Sequence, residues 1–333
     1  MKARMAHYQE LNDDIVCIDT EQHRLGMAAC YLVGSAGHYA FVEAGTTLSV
    51  PRLLEVLAKL GVARSAVDYV MPTHVHLDHA GGAGALLREL PNARLLIHPR
   101  GARHMIDPSQ LIAGATAVYG AAALRATYGE IVPVPAERVQ IAEVSAERDF
   151  TLRLGKRELL FIDAPGHARH HYAVWDALSR GWFSGDVFGL SYRDFDVDGG
   201  NYMMPTTSPV QFDPRAWETT LQRLLAKSPA HIYLTHYSRI DTAAELAPQL
   251  RAGLAAYQGM ARAHAGASDR HARIYAELMD YHLGQLRTRG TLLPEARPRA
   301  LLNSDVEINT QGLEVWLDRE RKAHEKSAGP RPG

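Results

Sequence analysis

The segment Thr73-His74-Val75-His76-Leu77-Asp78-His79-Ala80-Gly81-Gly82 decides the reading of this chain. It follows the mostly apolar run 67–71, which has the length and composition of a buried strand. Alternate side chains of an extended segment point the same way, so His74 and His76 can reach one metal ion together. Asp78 and His79 fall just beyond, where the chain turns toward a helix, and can reach a second ion a few ångströms away. Imidazole nitrogen and carboxylate oxygen are the donors that borderline divalent metals prefer. The small residues Ala80, Gly81 and Gly82 let the backbone crowd close to such a centre. A polar loop with chance histidines would seldom gather these donors directly behind a buried strand.

Working outward, short strand-like runs at 15–18, 28–33 and 39–43 precede the motif, with a hairpin turn at 34–37. Ser49, Pro51, the leucines at 53, 54, 57 and 60, and then Gly61 carry the punctuation of a helix. The motif segment 73–79 reads as a loop, 80–90 as a helix and 94–97 as a strand. The alternation breaks at about 101–135, where 116–128 is Ala-rich and helical in pattern; this reads as an insertion over the site. Strands return at 138–144, 150–154, 158–163, 172–175 and 181–183, followed by a helix at 214–227 and a last strand at 231–234. Beyond about 240 the strands cease. Long helical patterns cover 241–264 and 268–287, a Pro-containing stretch at 293–298 interrupts them, and a last helix lies near 311–326. The tail SAGPRPG is expected to fray. The outline is an α/β domain over residues 1–240 with a helical extension over 241–333.

Further donors stand just past other apolar runs: Pro165-Gly166-His167, Ser184-Gly185-Asp186 and Thr235-His236. In α/β sheets, sites gather outside strand ends.

Composition narrows the function classes. The chain has 333 residues, formal net charge −1 and 17 histidines. Near-zero charge and the lack of a basic arm argue against a nucleic-acid partner and for a small-molecule substrate. Cys17 and Cys30 sit in apolar stretches outside any CxxC motif and read as buried thiols. With no apolar leader and no run long enough to span a bilayer, the expectation is a cytoplasmic protein without a membrane partner.

The ordered set HxHxDH, then His, Asp and His, resembles the metallo-β-lactamase fold superfamily, and its THxHxDHAGG form looks like the glyoxalase II and lactonase branch. The resemblance spans roughly residues 10–240. It implies an αββα sandwich of two mixed sheets flanked by helices, with the metals at one edge. Carried over by position, it implies that His74, His76 and His167 hold a first metal, that Asp78, His79 and His236 hold a second, and that Asp186 bridges them. Many β-lactamases of this fold carry a cysteine at the bridging position, so Asp186 points away from antibiotic hydrolysis.

Two divalent cations, zinc before iron or manganese, would bring a bridging water toward ionisation at neutral pH and polarise a carbonyl. The expected chemistry is hydrolysis of an ester, thioester or lactone by a metal-bridging hydroxide. Asp78 is a candidate for proton handling and Tyr192 for a hydrogen bond to substrate. His171 is placed to orient a ligand, and Arg193 to pair with a substrate carboxylate. The alternative is an iron-dependent oxidoreductase of the same fold, resembling persulfide dioxygenases, whose ligands are a subset of these. The helical extension is expected to cap the pocket or to form a homodimer interface.

Overall fold

The computed structural model describes residues 5–198, 200–207, 209–291, 293–294 and 296–327, with backbone only at 118, 119 and 327. The chain packs into two units. The first comprises Met1–Ala164, His170–Asp186 and Leu224–Ala243, and the second Pro165–Arg169, Val187–Arg223 and Ala244–Gly333.

The first unit contains both sheets. One holds β1 (Tyr8–Glu10), β2 (Ile15–Asp19), β3 (Ala29–Ser35), β4 (His38–Val42), β5 (Val67–Met71), β6 (Arg94–Ile97) and β7 (Val139–Ile141), side by side in chain order. Strands β1 to β4 pair antiparallel, and β4 to β7 pair parallel. The other sheet holds β8 (Phe150–Leu154), β9 (Arg157–Asp163), β10 (Tyr172–Asp176), β11 (Gly181–Gly185), β12 (His231–Leu234) and β13 (Ser238–Ile240). Its one parallel pair is β11 with β12.

Side-chain alternation explains why these strands form two layers. Ile15 and Cys17 on β2, Ala29, Tyr31 and Val33 on β3, and Ala40 and Val42 on β4 join Leu159, Phe161, Tyr172, Val174, Phe183 and Tyr233 in the core between the sheets. The intervening residues Val16, Ile18, Cys30, Leu32 and Phe41 face the other way. They pack with Leu53, Val56 and Leu57 of the helix Val50–Lys59 and with Leu86 and Leu87 of the helix Ala83–Glu89. The result is the expected α/β architecture of two mixed sheets flanked by helices. Cys17 and Cys30 are buried free thiols.

The second unit carries most of the helix Pro214–Ala226 and nearly all of Ala243–Ala263, together with Arg270–Thr288 and Ala296–Ser327. Arg270 ties two of them: Nη1 and Nη2 donate to the Asp318 carboxylate at 2.9 and 3.0 Å, and Nε donates to Glu314 at 2.9 Å. Among the described residues, no helix is long and apolar enough to cross a membrane.

Several elements differ from expectation. The short strands Tyr8–Glu10 and Ser238–Ile240 were not foreseen. The segment 73–79 is not a loop throughout, because Leu77–Ala80 already forms a helical turn. Gly120, at φ 77°, breaks the insertion helix into Ser109–Tyr119 and Ala121–Tyr128. The last helix starts at Ala296 rather than near 311. Pro298 sits in its first turn, where no intrahelical N–H bond is needed, so the proline does not end the helix. The expectation for the tail falls, for residues 328–333, outside the described residues.

Phe161 is fully buried between the sheets, with its ring centroid 5.1 Å from that of Tyr172 and 5.7 Å from that of Phe150. Replacing it with Ala is expected to cost about 3–5 kcal/mol in urea unfolding, whereas Leu48→Ala, on an exposed site, should change stability by less than about 0.5 kcal/mol.

Candidate metal centre

Parallel pairing brings the donors to one edge. Strands β4, β5 and β6 run the same way, so Glu43, the 73–79 segment and His98 all follow carboxyl ends. In the second sheet Asp186 follows β11 and Thr235-His236 follows the parallel β12, while His170-His171 lead into β10. Two backbone bonds stitch the sheets there: Tyr172 N donates to Thr73 O at 2.9 Å, and Ala29 N donates to Thr235 O at 2.9 Å. The close approach requires glycine at two places. A Cβ on Gly185, at φ +49°, would lie 2.4 Å from Thr73 Oγ1 and 2.5 Å from His171 Nε2. A Cβ on Gly82 would lie 2.5 Å from the carbonyl oxygen of Ala44.

His76 keeps an extended backbone (φ −61°, ψ 150°), and the helical turn begins behind it. His74 and His76 therefore project from extended chain, whereas Asp78 and His79 project from the turn. His74 Nε2 and His76 Nδ1 come within 2.8 Å of each other. Asp78 Oδ2 lies 3.6 Å from His79 Nε2 and 3.3 Å from His236 Nε2. Tetrahedral ligands about 2.0–2.1 Å from one ion stand roughly 3.3 Å apart, so the spacing of Asp78, His79 and His236 fits a single cation. Asp186 Oδ1 lies 3.3 Å from His79 Nε2 and 3.8 Å from His236 Nε2, and His74, His79 and Asp186 form a further group with donor atoms within 4.8 Å of one another. His79 Nε2 is buried and makes no hydrogen bond among the described residues. That orphaned nitrogen, between two carboxylates, is what a metal position leaves when protein atoms alone are considered.

The other ring nitrogens are held by oxygens. His236 Nδ1 stands 2.8 Å from Met27 O, and His79 Nδ1 stands 3.0 Å from Glu43 Oε1. A carbonyl or carboxylate only accepts, so Nδ1 carries the proton and Nε2 presents its lone pair in the neutral ring. Thr73 Oγ1 donates to Glu43 Oε1 at 2.6 Å, so its oxygen is left to accept from His74 Nδ1 at 3.1 Å. His171 Nε2 accepts from the backbone N–H of Asp186 at 3.2 Å, so His171 braces the Asp186 backbone.

Glu43 was not singled out from the sequence. It is completely buried and accepts from Thr73 N at 3.0 Å and from Thr235 Oγ1 at 3.0 Å, besides Thr73 Oγ1 and His79. The available signal was a carboxylate closing an otherwise apolar strand.

Charge pairing tunes the cluster. Burial alone would raise Asp78, but His79 and His236 outweigh it and hold the carboxyl well below the usual carboxylate range. Burial alone would lower His79, but Asp186, Asp78 and Glu43 raise it. In His236 the same opposition, with Asp186 and Asp78 winning over burial, raises it to about 9.

The remaining expected residues fall as follows. His167 belongs to the second unit, where its Nδ1 stands 3.0 Å from Thr206 O and 2.9 Å from Thr206 Oγ1. Tyr192 is buried, and its hydroxyl donates to Asp305 at 3.2 Å. Arg193 pairs with Asp196 at 3.2 Å. His98, which was not among the expected site residues, pairs with Asp163 at 3.0 Å. Residues 101–135 reach the motif, since Leu124 and Tyr128 pack on Leu77.

A sequence-family model of the Metallo-beta-lactamase superfamily matches residues 23–236, which include every donor named above. The chain belongs to that superfamily. Members of the metallo-β-lactamase superfamily are mostly metal-dependent hydrolases that bind metal ions. The metallo-β-lactamase fold-containing protein ST1585 of Sulfurisphaera tokodaii is 27% identical over 213 residues, covering 60% of this chain and 76% of that protein. Its crystal structure, described as the first of an archaeal metallo-β-lactamase superfamily protein, superposes with a TM-score of 0.57 at 20% identity, over 93% of this chain and 98% of that one. The metallo-β-lactamase family protein TTHA1429 of Thermus thermophilus gives a TM-score of 0.62 at 19% identity, over 92% and 91%. A metallo-β-lactamase from Pontibacter korlensis gives 0.52 at 15% identity, over 75% and 99%. These likenesses concern the fold.

Two outcomes follow from the donor set. Protons on His79 and His236, both raised in affinity, compete with a cation, so zinc affinity should rise with pH through the His236 value of about 9 and be weaker at lower pH, with proton release on binding. Competition titrations, and calorimetry in buffers of different ionisation enthalpy, would expose a pH-independent affinity. Glu43→Gln should weaken metal binding about 10–100-fold, because an amide turns a donor toward Thr73, Thr235 or His79. Unchanged affinity in a folded variant would remove Glu43 from that role.

Proposed function

We propose that this chain is a dinuclear metal-dependent hydrolase, similar to the glyoxalase II and lactonase branch, acting on the ester, thioester or lactone carbonyl of a small molecule. The observation that carries this reading is the place of Asp186. Its Oδ1 lies near His79 and His236, and the residue groups with His74 as well, which supports a role for this carboxylate toward both proposed cations. In this reading His74, His76 and His167 would hold one cation, Asp78, His79 and His236 would hold the other, and Asp186 would be shared by both. The nitrogen and oxygen donors suit zinc, and also iron or manganese.

When bound, two such cations supply Lewis acidity toward a carbonyl oxygen and a nucleophile at neutral pH. The protein residues contribute orientation and charge. Glu43 holds His79, Met27 O holds His236, and Thr73 holds His74, so the donors are set before a metal arrives. Asp78 stays ionised beside His79 and His236, so it binds a cation or accepts a proton rather than donating one. The hydroxyl of Tyr192 is engaged by Asp305, and substrate would have to compete for it.

The chain's net charge of −1 and the buried donor set favour a small uncharged or weakly charged substrate over a polyanion.

Metal analysis of protein purified without added metal, paired with a screen of lactones, thioesters and aryl esters, tests the proposal. Near-stoichiometric zinc with turnover of one of these classes is expected. A single iron with oxygen uptake, and no hydrolysis, would favour the oxidoreductase alternative. Asp186→Ala should lose metal and lower turnover by about a hundredfold or more.

A further inference from the structure

The helix Ala296–Ser327 carries an asparagine, Asn309, in its interior, where that residue is a poor helix former. Asn309 is buried, and its polar atoms are directed at one short segment. Thr207 N donates to Asn309 Oδ1 at 2.6 Å, Thr207 Oγ1 donates to Asn309 O at 2.9 Å, and Asn309 Nδ2 donates to Pro205 O at 3.3 Å. Asn309 thus grips Pro205 and Thr207, the two residues flanking Thr206. Thr206 is the residue whose carbonyl oxygen and hydroxyl meet His167 Nδ1, at 3.0 and 2.9 Å. The carbonyl only accepts, so this contact fixes the proton on Nδ1 and leaves Nε2 as the donor nitrogen of the neutral ring.

The grip is itself braced. Asn309 Nδ2 also reaches Tyr257 Oη at 3.5 Å, and Tyr257 Oη bonds His282 Nε2. His282 Nδ1 bonds Tyr202 Oη at 2.7 Å. Burial drives His282 down to about 3, so this ring stays neutral and serves as a fixed hydrogen-bonding spacer. Trp217 closes the other side of the His167 segment. A Cβ on Gly166, at φ +140°, would lie 2.5 Å from the Trp217 Cα, and Asp213 N donates to Gly166 O at 2.8 Å.

We propose that Asn309 is a positioning residue, which sets the ring orientation and tautomer of His167 through the segment Pro205–Thr207. The inference rests on the reading of His167 as a metal ligand. It gives the C-terminal helices a task that the sequence did not reveal: they hold a metal-ligand histidine rather than only capping a pocket or forming an interface.

The test is a zinc affinity cycle on the full-length protein, by competition with a chromophoric chelator, over Asn309→Ala, His167→Ala and the double variant. Thr310→Val is the control, because Thr310 is the buried neighbour whose hydroxyl donates within its own helix, to Val306 O at 2.8 Å. Asn309→Ala is expected to weaken zinc binding about tenfold, to have no further effect in the His167→Ala background, and to differ from Thr310→Val, which keeps full affinity. Thr207→Val removes the hydroxyl bonds to Asn309 with little change of shape. It should shift affinity in the same direction and keeps the test valid if Asn309→Ala does not fold. If His167→Ala weakens binding while Asn309→Ala and Thr207→Val do not, the positioning role is overturned. If His167→Ala itself has no effect, the ligand reading fails instead.

Discussion

The carboxylate of Glu43 accepts hydrogen bonds from elements that the chain keeps far apart. They are Thr73 behind β5, His79 in the helical turn and Thr235 behind β12. Those partners come from both sheets, so one side chain ties together the edges on which the donors stand. Hydrogen bonds to a charged group contribute about 1.5–3 kcal/mol each, and a buried carboxylate stripped of them would be strongly destabilising. Glu43 also holds a left-handed backbone, at φ 67°, which costs a non-glycine residue about 1–2 kcal/mol. The bonds it makes outweigh that cost. The site edge exists in this form because this carboxylate is buried and satisfied.

The same pattern extends to the histidine rings proposed as ligands. His74, His79 and His236, and His167 in the second unit, each set Nδ1 against an oxygen, which leaves Nε2 as the donor nitrogen. His76 does the reverse and presents Nδ1 toward His74. Rings fixed in this way lose little freedom when a cation binds, so more of the intrinsic ligand affinity is retained. Asp78 and Asp186 stand beside both rings, with Glu43 also beside His79, and these carboxylates raise the proton affinity of His79 and His236 against the effect of burial.

Much of this was legible in the sequence where the signal is local. The strands at Val67–Met71, Arg94–Ile97, Phe150–Leu154 and His231–Leu234 match their apolar runs residue for residue. The order of donors along the chain was readable because each follows a strand. What escaped depends on distant partners. Glu43 reads as an ordinary strand end, since the residues it binds are 30, 36 and 192 positions away. The turn at Leu77–Ala80 was hidden because His76 precedes it without a capping side-chain bond. Pro298 suggested an interruption, although a proline in a first turn costs a helix nothing. Tyr192 looked available to substrate, and its partner Asp305 lies 113 residues away on a helix with no motif of its own.

These side chains are proposed to hold metal at the shared strand edge. Anomalous X-ray diffraction at the zinc edge, on crystals of the zinc-loaded protein, tests that proposal most directly. Two anomalous peaks are expected about 3.5–4 Å apart, one against His74 and His76 and the other against Asp78, His79 and His236, with Asp186 near both. Peaks elsewhere on the chain, or none at this edge despite bound zinc, would contradict it.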